Sequence, residues 1–89
     1  MEGKPYDAKF IFEEMLNIEP RDKEVIYALA AIARVQKHYE RAETLFAKLT
    51  HSSRHADEAN YSLGVIALNN ENNELATQYL SNVSPGPYF

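Results

Sequence analysis

Val35-Gln36-Lys37-His38-Tyr39-Glu40-Arg41-Ala42-Glu43-Thr44-Leu45-Phe46-Ala47-Lys48-Leu49 is the stretch that decides the fold of this chain. It reads as the end of one helix, a tight turn at Lys37-His38-Tyr39, and a second helix. Ala42, Phe46 and Leu49 follow at steps of four and three, which places them on one helical face. The small Ala42 lets another helix come close, and the bulky Phe46 follows one turn later. The same face recurs upstream as Ala8, Phe12 and Met15, and downstream as Ala76, Leu80 and Val83. The offsets are equal, 42 − 8 = 34 and 76 − 42 = 34. A fixed period of this length marks a repeated helical unit.

Working outward, Asp7 is placed to cap a first helix running to about Asn17, with Ala8, Ile11, Phe12, Met15, Leu16 and Ile18 in helical register. Pro20 stops it, and Asp22 is the next N-cap. A second helix spans about Lys23 to Gln36 and is apolar over much of its circumference, as a helix held between neighbours must be. The third runs from about Tyr39 to Thr50. His51-Ser52-Ser53-Arg54-His55 is a polar connector. The fourth runs from Ala56 or Asp57 to Asn69 and carries Gly64 in its interior. That glycine costs roughly 1 kcal/mol against alanine, so it needs a packing reason, namely a helix crossing there. Asn69-Asn70-Glu71-Asn72-Asn73 is the next turn, the fifth helix covers about Glu74 to Asn82, and Ser84-Pro85-Gly86-Pro87 ends helical structure.

Eighty-nine residues bound the chain to one small domain. It is divided here as a half repeat over about 3–22, a repeat over 23–56 and a repeat over 57–89. The apolar fraction of 45% and charged fraction of 25% are those of a folded protein. A net charge of −4 without a basic stripe argues against nucleic acid as partner. No apolar run approaches the roughly 20 residues of a membrane span. With no cysteine, disulfides and cysteine-based zinc sites are excluded.

The pattern resembles the tetratricopeptide repeat. That family places alanine at Ala8, Ala42 and Ala76, and an aromatic at Phe12 and Phe46, where the third unit has Leu80. Leu29 and Leu63 are each followed by a small residue, Ala30 and Gly64. Pro20, within Leu16-Asn17-Ile18-Glu19-Pro20-Arg21-Asp22, matches the family's usual repeat ending, and Tyr39 its frequent tyrosine at the start of the second helix. The departures are Ala33 and Ala67 for the usual aromatic, Arg54 for the proline, and Lys37 and Glu71 for the glycine of the turn. The resemblance implies an all-α solenoid of antiparallel helix pairs, five helices stacked in a right-handed superhelix, with the first helix of each pair lining a concave side. Each pair alone leaves a face uncovered, which stacking covers.

The resemblance also implies a role, a scaffold that binds a peptide or partner segment in the concave groove. The positions that line it map to Glu24, Tyr27, Ala31, Arg34 and Val35, then Glu58, Tyr61, Val65, Leu68 and Asn69. Tyr27 and Tyr61 recur once per unit and offer flat apolar area with a hydroxyl. The lysine and asparagine clamp used by members that hold chaperone C-termini is missing, since tyrosine, alanine and valine stand there. A purely structural role for the tyrosines, packed on neighbouring helices, is the alternative.

Three further expectations concern chemistry and the ends of the chain. His51 and His55 stand four apart, as two metal ligands would, but no third ligand is near in sequence, so neither metal nor cofactor is expected. Glu13, Glu14, Glu40, Glu43, Glu71 and Glu74 read as solvated helix faces. Without a nucleophile set or a glycine-rich phosphate loop, enzymatic activity is not expected. Finally, the chain opens on a second-type helix with Phe12 and Met15 on an uncovered face, and Val83, Tyr88 and Phe89 lie near its other end. This reads as a piece of a longer array with Met1-Glu2 as an added start, as an element that self-associates through open repeat ends, or as the non-catalytic repeat region of a larger enzyme.

Overall fold

A computed structural model describes residues 5–84, with side chains from residue 8 onward. Among the described residues there are five helices and no strand: α1 Pro5–Ile18, α2 Lys23–Val35, α3 Tyr39–Ala47, α4 Ala56–Asn69 and α5 Asn73–Leu80. The chain forms two compact units, Met1–Leu45 and Phe46–Phe89, and the division falls inside α3. The expected helices are all present. α1 starts at Pro5, ahead of the cap expected at Asp7, whose side chain lies outside the described residues, as do Met1, Glu2, Tyr88 and Phe89. α3 ends at Ala47 rather than Thr50, because the backbone there breaks into a run of turns.

In the first unit the helix boundaries follow from individual groups. Met15 O accepts the Glu19 N–H at 2.9 Å, and Pro20 then has no N–H with which to continue α1. Asp22 caps α2, its Oδ1 accepting from the N–H of Glu24 at 3.1 Å and of Val25 at 3.3 Å. α2 buries Val25, Ile26, Leu29, Ala30 and Ala33 and packs against α1. On α1 the half-buried residues are Lys9, Phe12, Glu13 and Leu16, one helical face. Arg41 donates to Glu13 Oε2 at 3.1 Å, tying the start of α3 to α1. Glu13 is therefore paired rather than simply solvated, although both partners remain about 40% exposed and such a pair contributes only about 0.2–1 kcal/mol. At Ala33, which stands for the family's aromatic, a crevice lined by Lys9, Leu29, Ala33 and Arg41 remains, too narrow for water.

The turn that closes α2 recurs after α4 with the same atoms 34 residues on. Lys37 N–H donates to Arg34 O at 3.0 Å and His38 N–H to Ala33 O at 2.8 Å. Glu71 N–H donates to Leu68 O at 2.9 Å and Asn72 N–H to Ala67 O at 2.8 Å. This is the Schellman closure, which requires a left-handed residue just past the helix. Lys37 and Glu71 supply it with φ of 64° and 61°, against the preference of a residue bearing Cβ. Replacing either by glycine removes that cost. Lys37→Gly and Glu71→Gly are each expected to stabilise by about 0.5–1 kcal/mol, read as a higher urea midpoint with unchanged slope.

The second unit contains the end of α3, α4 and α5. Phe46 and Leu49 are fully buried. The segment between α3 and α4, expected as a polar connector, is a chain of turns. Ser52 O accepts the N–H of His55 at 3.1 Å and of Ala56 at 2.7 Å, while Ser52 N–H donates to Leu49 O at 3.0 Å. His55 is buried at the start of α4 and gives no side-chain cap. α4 packs against α5, and Gly64 explains how closely. A Cβ placed on Gly64 would lie 2.6 Å from both Cγ and Cδ2 of Leu80, the close helix approach that the glycine implied. Asn72 caps α5, its Oδ1 accepting from Leu75 N–H at 3.2 Å. Ser84 N–H donates to Asp57 Oδ1 at 3.0 Å, tying the residues after α5 to the first turn of α4.

Candidate binding faces of α2 and α4

On α2, Glu24, Tyr27, Ala31 and Arg34 follow at steps of three, four and three, and so form one stripe along the helix. The core residues of α2 lie on its other side. Glu24 is exposed, and Tyr27, Ala31 and Arg34 are half-buried. Val35, the fifth residue expected here, is 75% exposed. Glu24 sits in the first turn, where its charge suits the helix dipole, and Arg34 in the last.

α4 carries the same stripe 34 residues later as Glu58, Tyr61, Val65 and Leu68, with Asn69 at its end. Here the environment is more restrictive. Ala59, Asn60, Ser62, Leu63, Gly64, Ile66 and Ala67 are all buried, so most of the circumference of α4 is closed. What stays accessible along its length is the stripe. Tyr61 is 37% and Leu68 47% exposed, Glu58 and Val65 are half-buried, and Asn69 is exposed. Two large side chains, Tyr61 and Leu68, are thus accessible two helical turns apart on a helix that otherwise hides its apolar surface.

Each stripe therefore carries a carboxylate at its start, a tyrosine, then small or aliphatic surface. None of the key polar groups stands idle, since Glu24, Tyr27, Arg34, Glu58 and Tyr61 each make a polar, ionic or ring interaction within the chain. Tyr27 and Tyr61 are thus tied into the chain as well as partly accessible. Leu68 is the member of the stripe that its apolar character would have assigned to the core.

Among the described residues no group of three or more His, Cys, Asp or Glu is placed to hold a metal ion. His51 is exposed while His55 is buried, so the pair does not share one environment. No helix among the described residues is long and apolar enough to cross a membrane.

Among the described residues, five helices, a 34-residue period and identical turns after α2 and α4 define a helical-repeat protein. The sequence model of the tetratricopeptide repeat matches residues 1–61, and the chain belongs to that family. Repeats of this family are generally protein-interaction modules and typically non-catalytic scaffolds. No curated protein and no solved structure matches the chain.

Proposed function

We propose that this chain binds an extended segment of a partner protein through the accessible stripes of α2 and α4, as a non-catalytic scaffold. The observation that carries the reading is the closure of α4 on all sides except the stripe bearing Tyr61 and Leu68. Its counterpart on α2 bears Tyr27 at the equivalent position. Tyrosine gives large contact area at low entropic cost, and Glu24, Glu58 and Arg34 supply charged rims that orient a segment. Ala31 on α2 and Val65 on α4 each add small or aliphatic surface to their own stripe, and Asn69 a polar end to that of α4.

Peptides selected from a random displayed library against the folded chain provide the test. Tyr27→Ala combined with Tyr61→Ala is expected to weaken the selected peptides by about tenfold or more. Circular dichroism should show the helicity retained. An unchanged affinity would sink the assignment of these stripes.

A second reading rests on α1. Ala8, Ile11, Met15 and Ile18 form a continuous exposed stripe, with Ile11 58% and Met15 43% exposed. Their equivalents 34 residues on, Ala42 and Leu45 in α3 and Leu49 just after it, are buried. Self-association through this face is the corresponding function, and sedimentation over a range of concentrations separates it from peptide binding. A chain that stays monomeric at the highest concentration rules it out.

A further inference from the structure

The second unit contains a cleft of about 490 Å³ lined by Thr50, His51, Asp57, Asn60, Tyr79 and Asn82. Its volume is within the range of small-ligand pockets, about 300–1,000 Å³. The repeat explains why it is unusual. Thirty-four residues earlier the places of Asn60 and Tyr79 are held by Ile26 and Leu45, both buried. The place of Asp57 is held by Lys23. The second repeat has therefore exchanged two core aliphatics for an amide and a phenol and reversed a charge, all on the wall of one cleft. Helix stacking does not require these exchanges, since the first repeat is built without them.

The polar atoms have a definite polarity. Asn60 donates its amide to Ala56 O at 3.0 Å, which leaves its Oδ1 to act as acceptor. Asp57 Oδ1 accepts from Ser84 N–H at 3.0 Å, and the second carboxylate oxygen adds further acceptor capacity. Asp57 is the one carboxylate among the lining residues. The cleft thus offers a carboxylate and an amide oxygen as acceptors, with an aromatic side chain in its wall.

We propose that this cleft receives the guanidinium of an arginine side chain from a protein partner, paired with the Asp57 carboxylate and laid against the Tyr79 ring. A guanidinium is planar, carries only donors, and satisfies carboxylate and aromatic face together. A neutral donor gains only a single weaker hydrogen bond from Asp57, and an anionic side chain is repelled by it. The site is separate from the α2 and α4 stripes, so its fate and theirs are independent.

Nα-acetyl-arginine amide is the probe, titrated into the intact chain and followed by NMR at the Asn60 side-chain amide and the Tyr79 ring. Saturable shifts at these groups are expected. The uncharged citrulline analogue should leave them in place. Asp57→Asn, which keeps an acceptor for Ser84 N–H, is expected to weaken the arginine probe by about fivefold. Asn60→Ile with Tyr79→Leu restores the residues of the first repeat and should abolish the response. Absence of shifts at the cleft, equal shifts with the citrulline analogue, or an undiminished response in Asp57→Asn would each overturn the proposal. Because Asp57→Asn leaves the packing residues untouched, a failure of the double variant to fold does not remove the test.

Discussion

Phe46→Ala is expected to cost about 3–5 kcal/mol, the cost of deleting a large aromatic from a closed core. Phe46 is the largest of the side chains with no accessible surface. A domain of this size has a total stability of roughly 5–13 kcal/mol, so the variant should approach or pass the point of unfolding at room temperature. Urea or thermal melts followed by circular dichroism at 222 nm read the loss directly. The repeat supplies an internal comparison. Phe12 and Leu80 occupy the same position of the neighbouring units and are only half-buried. Phe12→Ala should therefore cost clearly less than Phe46→Ala, although both remove the same atoms. Equal costs would mean that the burial of Phe46 is not what sets its contribution.

Gly64→Ala is the second large effect, and its sign is opposite to the one helix propensity gives. In an open helix the substitution gains about 1 kcal/mol. Here the added methyl meets Leu80 Cγ and Cδ2 at 2.6 Å, well inside contact distance, and the Cγ atom is not a free end that swings aside. Overpacking of this kind costs about 1–3 kcal/mol, so a net destabilisation is expected. Combining Gly64→Ala with Leu80→Ala makes room and should recover part of the loss, a coupling that a double-mutant cycle measures. A stabilised single variant would show that α4 and α5 do not meet as described.

Much of this was readable from residue order because the repeat states each rule more than once. The spacing of Ala42, Phe46 and Leu49 marked the buried face of α3 and of the turn that follows it, and all three residues are inaccessible. Asp22 announced a cap by its residue type, and Gly64 announced a close contact by being costly where it stands. The residues that escaped are those whose environment depends on a partner distant in sequence. Glu13 looked like any solvated carboxylate because Arg41 is 28 residues away. His55 looked like part of a polar connector because nothing in Ser52-Ser53-Arg54 signals the turns that bury it. Ala8 matched Ala42 and Ala76 in type yet is exposed, since identical residues at equivalent positions bury only where another helix covers them. For the binding stripes, the period supplied the positions, and the accessibility of Tyr61 and Leu68 came from how the rest of α4 is enclosed.

The paired turns at Lys37 and Glu71 have a practical use. Both side chains are exposed, and each turn is held by main-chain bonds, so neither residue is needed for its chemistry. The chain has no cysteine of its own. Lys37→Cys with Glu71→Cys would thus give two uniquely reactive thiols at equivalent points of successive repeats, in turns held by main-chain bonds. Spin labels or dyes attached there form a ruler whose length is the displacement from one repeat to the next. Changes in that length on adding a ligand would report bending of the array as it occurs in solution.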